Sequence, residues 1–149
     1  MTEREAESSR NGNGFNAMLQ YLIPKLTVWA AYERYDGDFV MESAFLNRTD
    51  ISRGLFYFGP NFYTKIKGMT WLRRIQPYLK FSRLHDLGSG MDDTSWGLGV
   101  DMHFTLWGFL NVEYHHEKEA WQGQLFNPEY FSAFGDIQLF KWLTLQADY

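Results

Sequence analysis

The sequence predicts an all-β protein: an antiparallel up-and-down meander of about eight strands, forming part of a transmembrane β-barrel or a small whole one. Three observations carry this. Thr94 to Leu106 alternates strictly, with Trp96, Leu98, Val100, Met102, Phe104 and Leu106 on one side and Ser95, Gly97, Gly99, Asp101, His103 and Thr105 on the other. That run exceeds an ordinary strand of five or six residues and reaches the roughly nine to eleven that a tilted strand needs to cross a bilayer. Aromatic residues make up 19% of the chain, yet its mean hydropathy is below zero. A barrel with one lipid face and one wet face produces that mixture.

The chain is of single-domain size, 149 residues, and no run approaches the roughly twenty apolar residues of a spanning helix. Fourteen basic against 18 acidic residues give a net charge of −4, which points away from nucleic acid as a partner. Without cysteine there is neither a disulfide framework nor a thiolate metal site.

Residues 1–14 are charged and then Asn/Gly-rich, a loop or disordered tail with no apolar core of a secretory signal. Residues 15–149 read as one barrel domain, partial in extent. Phe15–Leu22 is the first strand, and Ile23-Pro24-Lys25 turns the chain because proline cannot continue a ladder. Leu26, Val28, Ala30 and Tyr32 then alternate with Thr27, Trp29, Ala31 and Glu33 as far as Tyr35. A long connection follows to Asp50. Ile51–Phe58 is a strand apolar on both sides, and Trp71–Leu84 a longer one in which Pro77 is awkward for a sheet interior. His85–Asp93 is a polar loop before the central strand.

For the central hairpin, matching polar sides places Phe104 opposite Val112, Met102 opposite Tyr114, His103 opposite Glu113 and Asp101 opposite His115, with Trp107-Gly108-Phe109 as the turn. Residues 117–129, with Trp121, Gly123 and Asn127-Pro128, read as a long loop. The final hairpin repeats the Leu, three residues, Leu pattern: Leu139 pairs Leu143 and Ile137 pairs Leu145, and Leu22–Leu26 is a third copy. Short turns therefore follow the first, fifth and seventh strands, which puts both chain ends on the long-loop side. A whole bacterial barrel normally starts and ends at the periplasmic side, so the expectation is a piece of a larger barrel, with any signal outside it.

Asp101, His103, Glu113 and His115 converge on the polar side as a candidate lumen cluster. Zinc binding or acid–base chemistry is one reading; cross-strand pairing of lumen residues is the plainer one. Arg73-Arg74, Lys65 and Lys67 read as wet or rim residues rather than an anion site. Gly97-Leu-Gly99 lacks the strand–turn–helix context of a phosphate loop, and on a lumen face glycine saves space. No nucleophile elbow or triad order is present, so no enzyme activity, cofactor or metal is expected. Trp107, Phe109, Phe140 and Trp142 are candidate interface aromatics, since amphipathic rings settle at headgroup depth.

Asp38-Phe-Val-Met-Glu-Ser-Ala-Phe-Leu-Asn-Arg-Thr-Asp50, followed by Ile-Ser-Arg and an aromatic strand, resembles the G-F-x-R-R-T-D signature of one family. These are bacterial outer-membrane proteins that join an N-terminal family-9-type carbohydrate-binding domain to a C-terminal barrel. Phe45, Arg48, Thr49 and Asp50 match; Ala44 stands where the family has Gly and Asn47 where it has the first Arg. The resemblance implies an outer-membrane location, a lipid bilayer as partner and carbohydrate reached through a domain outside this chain. It supplies no catalytic residue. The function expected is a barrel segment that contributes to a pore or anchors such a domain. The rivals are a soluble lipocalin-like barrel with Trp96, Leu98 and Met102 lining an apolar cavity, and an outer-membrane lipid-modifying enzyme using the cluster.

Overall fold

The protein is described by a computed structural model, which covers residues 12–39, 49–63, 70–105, 108–121, 124–140 and 143–149. The described residues form ten strands: β1 (Gly14–Ile23), β2 (Leu26–Tyr35), β3 (Ile51–Pro60), β4 (Phe62–Tyr63), β5 (Leu72–Asp86), β6 (Asp92–Phe104), β7 (Gly108–Trp121), β8 (Gln124–Phe126), β9 (Glu129–Phe140) and β10 (Leu143–Asp148). They form one antiparallel meander in the order β1-β2-β3-β5-β6-β7-β9-β10, with β4 paired to β5 and β8 to β7. Eight strands lie on the main path. Within the described residues β1 and β10 pair with one neighbour each and not with each other, so the sheet is open.

Local sequence accounts for the breaks. Ile23 faces Leu26 across a two-residue Pro24-Lys25 turn, which corrects the three-residue spacing expected there. The β3 and β4 ladders to β5 share one register, Phe58 on Leu79 and Phe62 on Ile75, so Pro60 falls opposite Pro77. Neither residue has an N–H to offer, and the ladder lapses between them. Gln76 repairs part of the gap by donating from Nε2 to the Gly59 carbonyl at 3.3 Å, and the Asn61 N–H turns to the Lys25 carbonyl at 2.8 Å. Pro77 is thereby accommodated inside the sheet, where it still pairs in register with Val100 on its other side. Asp50 adopts φ 60°, a left-handed conformation that Asp tolerates, and its carbonyl accepts the Leu87 N–H at 2.8 Å. This joins the two connections at the loop end.

Three further expectations are corrected. In the central hairpin His103 faces Phe109, Asp101 faces Asn111, Gly99 faces Glu113 and Gly97 faces His115; Val100 faces Val112. Gly108 and Phe109 therefore belong to β7 and not to the turn. Residues 117–121 continue β7, and β8 folds back on them through Glu119–Phe126 and Trp121–Gln124, where a loop was expected. In the last hairpin Ile137 does face Leu145, but a bulge shifts Leu143 onto Phe140 instead of Leu139.

The register assigns every strand two sides. One side carries Trp29, Tyr57, Gln76, Tyr78, Lys80, Gly97, Gly99, Asp101, Asn111, Glu113, His115 and Ser132. The other carries Val28, Phe56, Phe58, Leu79, Phe81, Trp96, Leu98, Val100, Met102, Phe104, Val112, Tyr114 and Phe131. Burial is inverted relative to a water-soluble fold. Glu113, Tyr78 and Gln76 on the polar side are 4%, 5% and 6% exposed, whereas Phe81, Leu98 and Phe131 on the apolar side are 43%, 52% and 66% exposed. The polar side is the concave one: β5 and β7 sit on either side of β6, about 9–10 Å apart, yet their side chains meet over it.

Candidate functional site

Glu113, near the middle of β7, is the centre of the polar face. Its neighbours across β6 are Gly97 and Gly99, and a Cβ on Gly97 would collide with Glu113 Oε1. A Cβ on Gly99 would likewise enter the ring of Tyr78. The two glycines therefore open a channel across β6 through which residues of β5 and β7 touch. Tyr78 donates its hydroxyl proton to Glu113 Oε2 at 2.7 Å, and Lys80 Nζ donates to the same oxygen at 2.7 Å. The ammonium also stands 4.9 Å from the centre of the Tyr78 ring. On the far side His115 Nε2 lies 3.5 Å from Glu113 Oε1, with Ser132 Oγ 3.4 Å from that nitrogen.

The network runs on toward the turn end. Asn111 Nδ2 donates to the Tyr78 oxygen at 2.7 Å and to Asp101 Oδ1 at 2.6 Å. Behind it, Trp29 and Tyr57 stack at 5.8 Å and Tyr57 and Tyr78 at 5.5 Å, an aromatic wall within the concave face. His115 stacks on Tyr130 at 4.5 Å. Glu113 is thus a nearly buried carboxylate compensated by one ammonium and one phenol, which is what an ion inside a low-dielectric sheet requires.

All four residues of the expected lumen cluster do lie on this face, but they part into separate contacts. Asp101 bonds Asn111, and His103 Nε2 accepts from Arg74 Nη2 at 2.5 Å; only Glu113 and His115 meet. The expected pairs His103–Glu113 and Asp101–His115 are not formed, because the register differs from the expected one by an even number of residues. An even slip keeps every side chain on its face while changing its neighbour. Among the described residues no group of three or more His, Asp or Glu side chains is placed to hold a metal ion. Tyr78, Lys80 and Asn111, which complete the network, were not singled out from sequence. The signal for them was Tyr78 and Lys80 alternating with apolar residues in β5, opposite the glycines.

Of the expected interface aromatics, Phe140 is exposed at the turn end of β9. Phe109 is a strand residue on the polar face, its ring 6.2 Å from His103 and 5.3 Å from Phe134. Trp107 and Trp142 lie outside the described residues, as do Phe45 and Arg48 of the family-like motif. Thr49 and Asp50 of that motif are turn residues, with Thr49 Oγ1 donating to the Gly37 carbonyl at 3.3 Å.

At the loop end of the apolar face sits a charged rim. Arg83 reaches Asp92 through Nη2 at 2.9 Å and Nε at 3.3 Å, and His85 Nδ1 lies 2.8 Å from Asp92. Hydrogen bonds from Arg83 and then His85 hold the Asp92 carboxyl below its ordinary range. His116 and Glu129 form a second rim pair at 3.0 Å. The chain matches no protein-family model, no curated protein and no solved structure.

Proposed function

We propose that this chain is a segment of a bacterial outer-membrane β-barrel, its convex apolar face against lipid and its concave polar face lining an aqueous lumen. The inverted burial carries the reading. A soluble lipocalin-like barrel would turn Leu98 and Trp96 inward and the Glu113 network outward, whereas here Glu113 is shielded and Leu98 is open.

The layering of the convex face supports the same reading. Below the charged rim of Arg83, His85 and Asp92 comes an aromatic row, Phe56, Phe81 and Trp96, in register across three strands. Leu79, Leu98, Pro77, Val100, Val112 and Ala133 follow as an aliphatic belt, and Phe62, Trp71 and Phe104 close it at the turn end. Trp71 and Phe104 touch at 5.9 Å. From Trp96 to Phe104 the strand rises about 27 Å, or about 20 Å once tilted by 35–45°, close to the lipid-facing band of outer-membrane barrels. The sequence resemblance adds the role: contributing to a pore, or anchoring a carbohydrate-binding domain carried outside this chain.

The test is lipid contact. In variants retaining Trp96 or Trp29 as sole tryptophan, reconstituted in vesicles of brominated lipid, Trp96 fluorescence should be quenched and Trp29 fluorescence spared. A monodisperse, detergent-free monomer with a sharp thermal transition would overturn the proposal.

A further inference from the structure

We infer that the turn end of the polar face holds an oxyanion site, for a phosphate or carboxylate group, built on Arg74 with His103 and Arg73. The inference rests on that face lining a lumen. A cavity of about 490 Å³ opens there, within the usual size of ligand clefts, bordered by Tyr63, Arg73, Arg74, His103 and Thr105. Among the described residues no carboxylate borders it.

Arg74 comes from the pairing of β4 with β5, where it faces Tyr63, and from β5 with β6, where it faces His103. Its Nη2 donates to His103 Nε2, so among the described residues the close partner of this guanidinium is a neutral ring, which cancels no charge. Arg74 Nε is buried and makes no hydrogen bond among the described residues. The nearest acids accept from neutral donors, Asp101 from Asn111 at 2.6 Å and Asp136 from the Phe109 N–H at 3.3 Å, and among the described residues neither pairs with an arginine of the site. Arg73 and Arg74 form no ion pair among the described residues, unlike Lys80, which has Glu113.

An uncompensated guanidinium over a cavity is the arrangement that receives oxyanions, because its planar fork matches two oxygens at once. Basic side chains facing a lumen also select anions in pores. The plain alternative, a solvated arginine at the rim, leaves the buried Nε and the cavity unexplained.

The probe is inorganic phosphate, titrated at constant ionic strength into the protein folded in detergent micelles, with the ring-proton resonances of its four histidines followed. His103 is assigned by its loss in His103→Gln. Its resonance should shift saturably, and Arg74→Gln should raise the half-saturating phosphate concentration about tenfold or more. Arg53→Gln, an ion-paired arginine at the other end of the same face, should leave it unchanged. Should Arg74→Gln fail to fold, Arg74→Lys keeps the charge without the fork, and an affinity several-fold weaker supports the site while an unchanged one overturns it. Acetate competing with phosphate extends the site to carboxylates and supports it as well. No saturable shift in protein that folds in micelles, or an equal shift in Arg74→Gln, overturns the anion site and leaves the membrane reading standing. Phosphate binding by a detergent-free soluble monomer overturns the membrane reading instead.

Discussion

Tyr78 lays its ring over Gly99 of the neighbouring strand, and by doing so brings its hydroxyl within 2.7 Å of Glu113 one strand further on. The absence of a side chain at residue 99 is what lets β5 and β7 communicate. Gly99→Ala should therefore destabilise the protein by about 1–3 kcal/mol through overpacking against an aromatic ring, although alanine is otherwise acceptable in a strand. Urea unfolding in detergent checks this. The penalty should shrink when Tyr78 is replaced by Leu, since removing the colliding ring removes the cause.

Glu113 tests the electrostatic half of the same junction. Glu113→Gln keeps the shape but leaves Lys80 without its counter-charge and weakens the bond from Tyr78. Lys80 is half-exposed and can turn toward water, so the loss should be about 1–2 kcal/mol rather than the 3–5 of a fully buried pair. An unfolding free energy unchanged by Glu113→Gln would mean that the ammonium and the phenol do not depend on the carboxylate.

The central hairpin separates what sequence fixes from what it leaves open. Alternation determines which side of the sheet each residue takes, and the sides of Trp96 to Phe104 and of Leu110 to His116 were legible for that reason. A slip by an even number of residues preserves the polar and apolar match, so alternation cannot choose among such registers. The register chosen by matching polar sides left Gly108 in the loop. In the fold Gly108 pairs with Ile137 of β9, and a Cβ there would lie 2.6 Å from the Asp136 carbonyl oxygen and 2.9 Å from Ile137 Cα, a close approach that only glycine permits and no local pattern reveals. The contacts of Arg74 and Lys80 were hidden likewise, since each depends on the partner strand. The cysteine-free background makes the register directly measurable. Cysteines at 100 and 112, facing each other with Cβ atoms about 4.5–5.5 Å apart, should form a disulfide readily. Cysteines at 104 and 112 should not, and efficient crosslinking there would restore the register expected from sequence.

Acid should weaken the loop rim. Asp92 is held below its ordinary range by Arg83 and then His85, so in the folded state it stays ionised at a pH where the unfolded chain has begun to bind a proton. The stability it contributes is present above the unfolded value, about 3.9, and is lost as pH falls through the lower folded value. Unfolding midpoints measured in detergent from pH 6 to pH 3 should therefore fall more steeply for the wild type than for Asp92→Asn. Parallel curves would show that the rim pairing adds nothing to folding.

Leu98 offers the sharpest separation of lipid from water. It sits in the aliphatic belt, opposite Leu79 on one side and Tyr114 on the other, and is 52% exposed. On a soluble protein an arginine at such a half-exposed site, far from buried polar groups, would change stability by about 0.5 kcal/mol or less. Near a bilayer midplane the same substitution costs about 2–4 kcal/mol, because the guanidinium must be desolvated or dragged to the interface. At Thr94, four residues nearer the charged rim on the same face, arginine should cost about 0–1 kcal/mol. Reversible unfolding in lipid vesicles should thus give a penalty for Leu98→Arg that exceeds that for Thr94→Arg by at least about 1 kcal/mol. Equal, small penalties at both sites would mean that the convex face meets water, and the polar concave face would then need another explanation for its shielding.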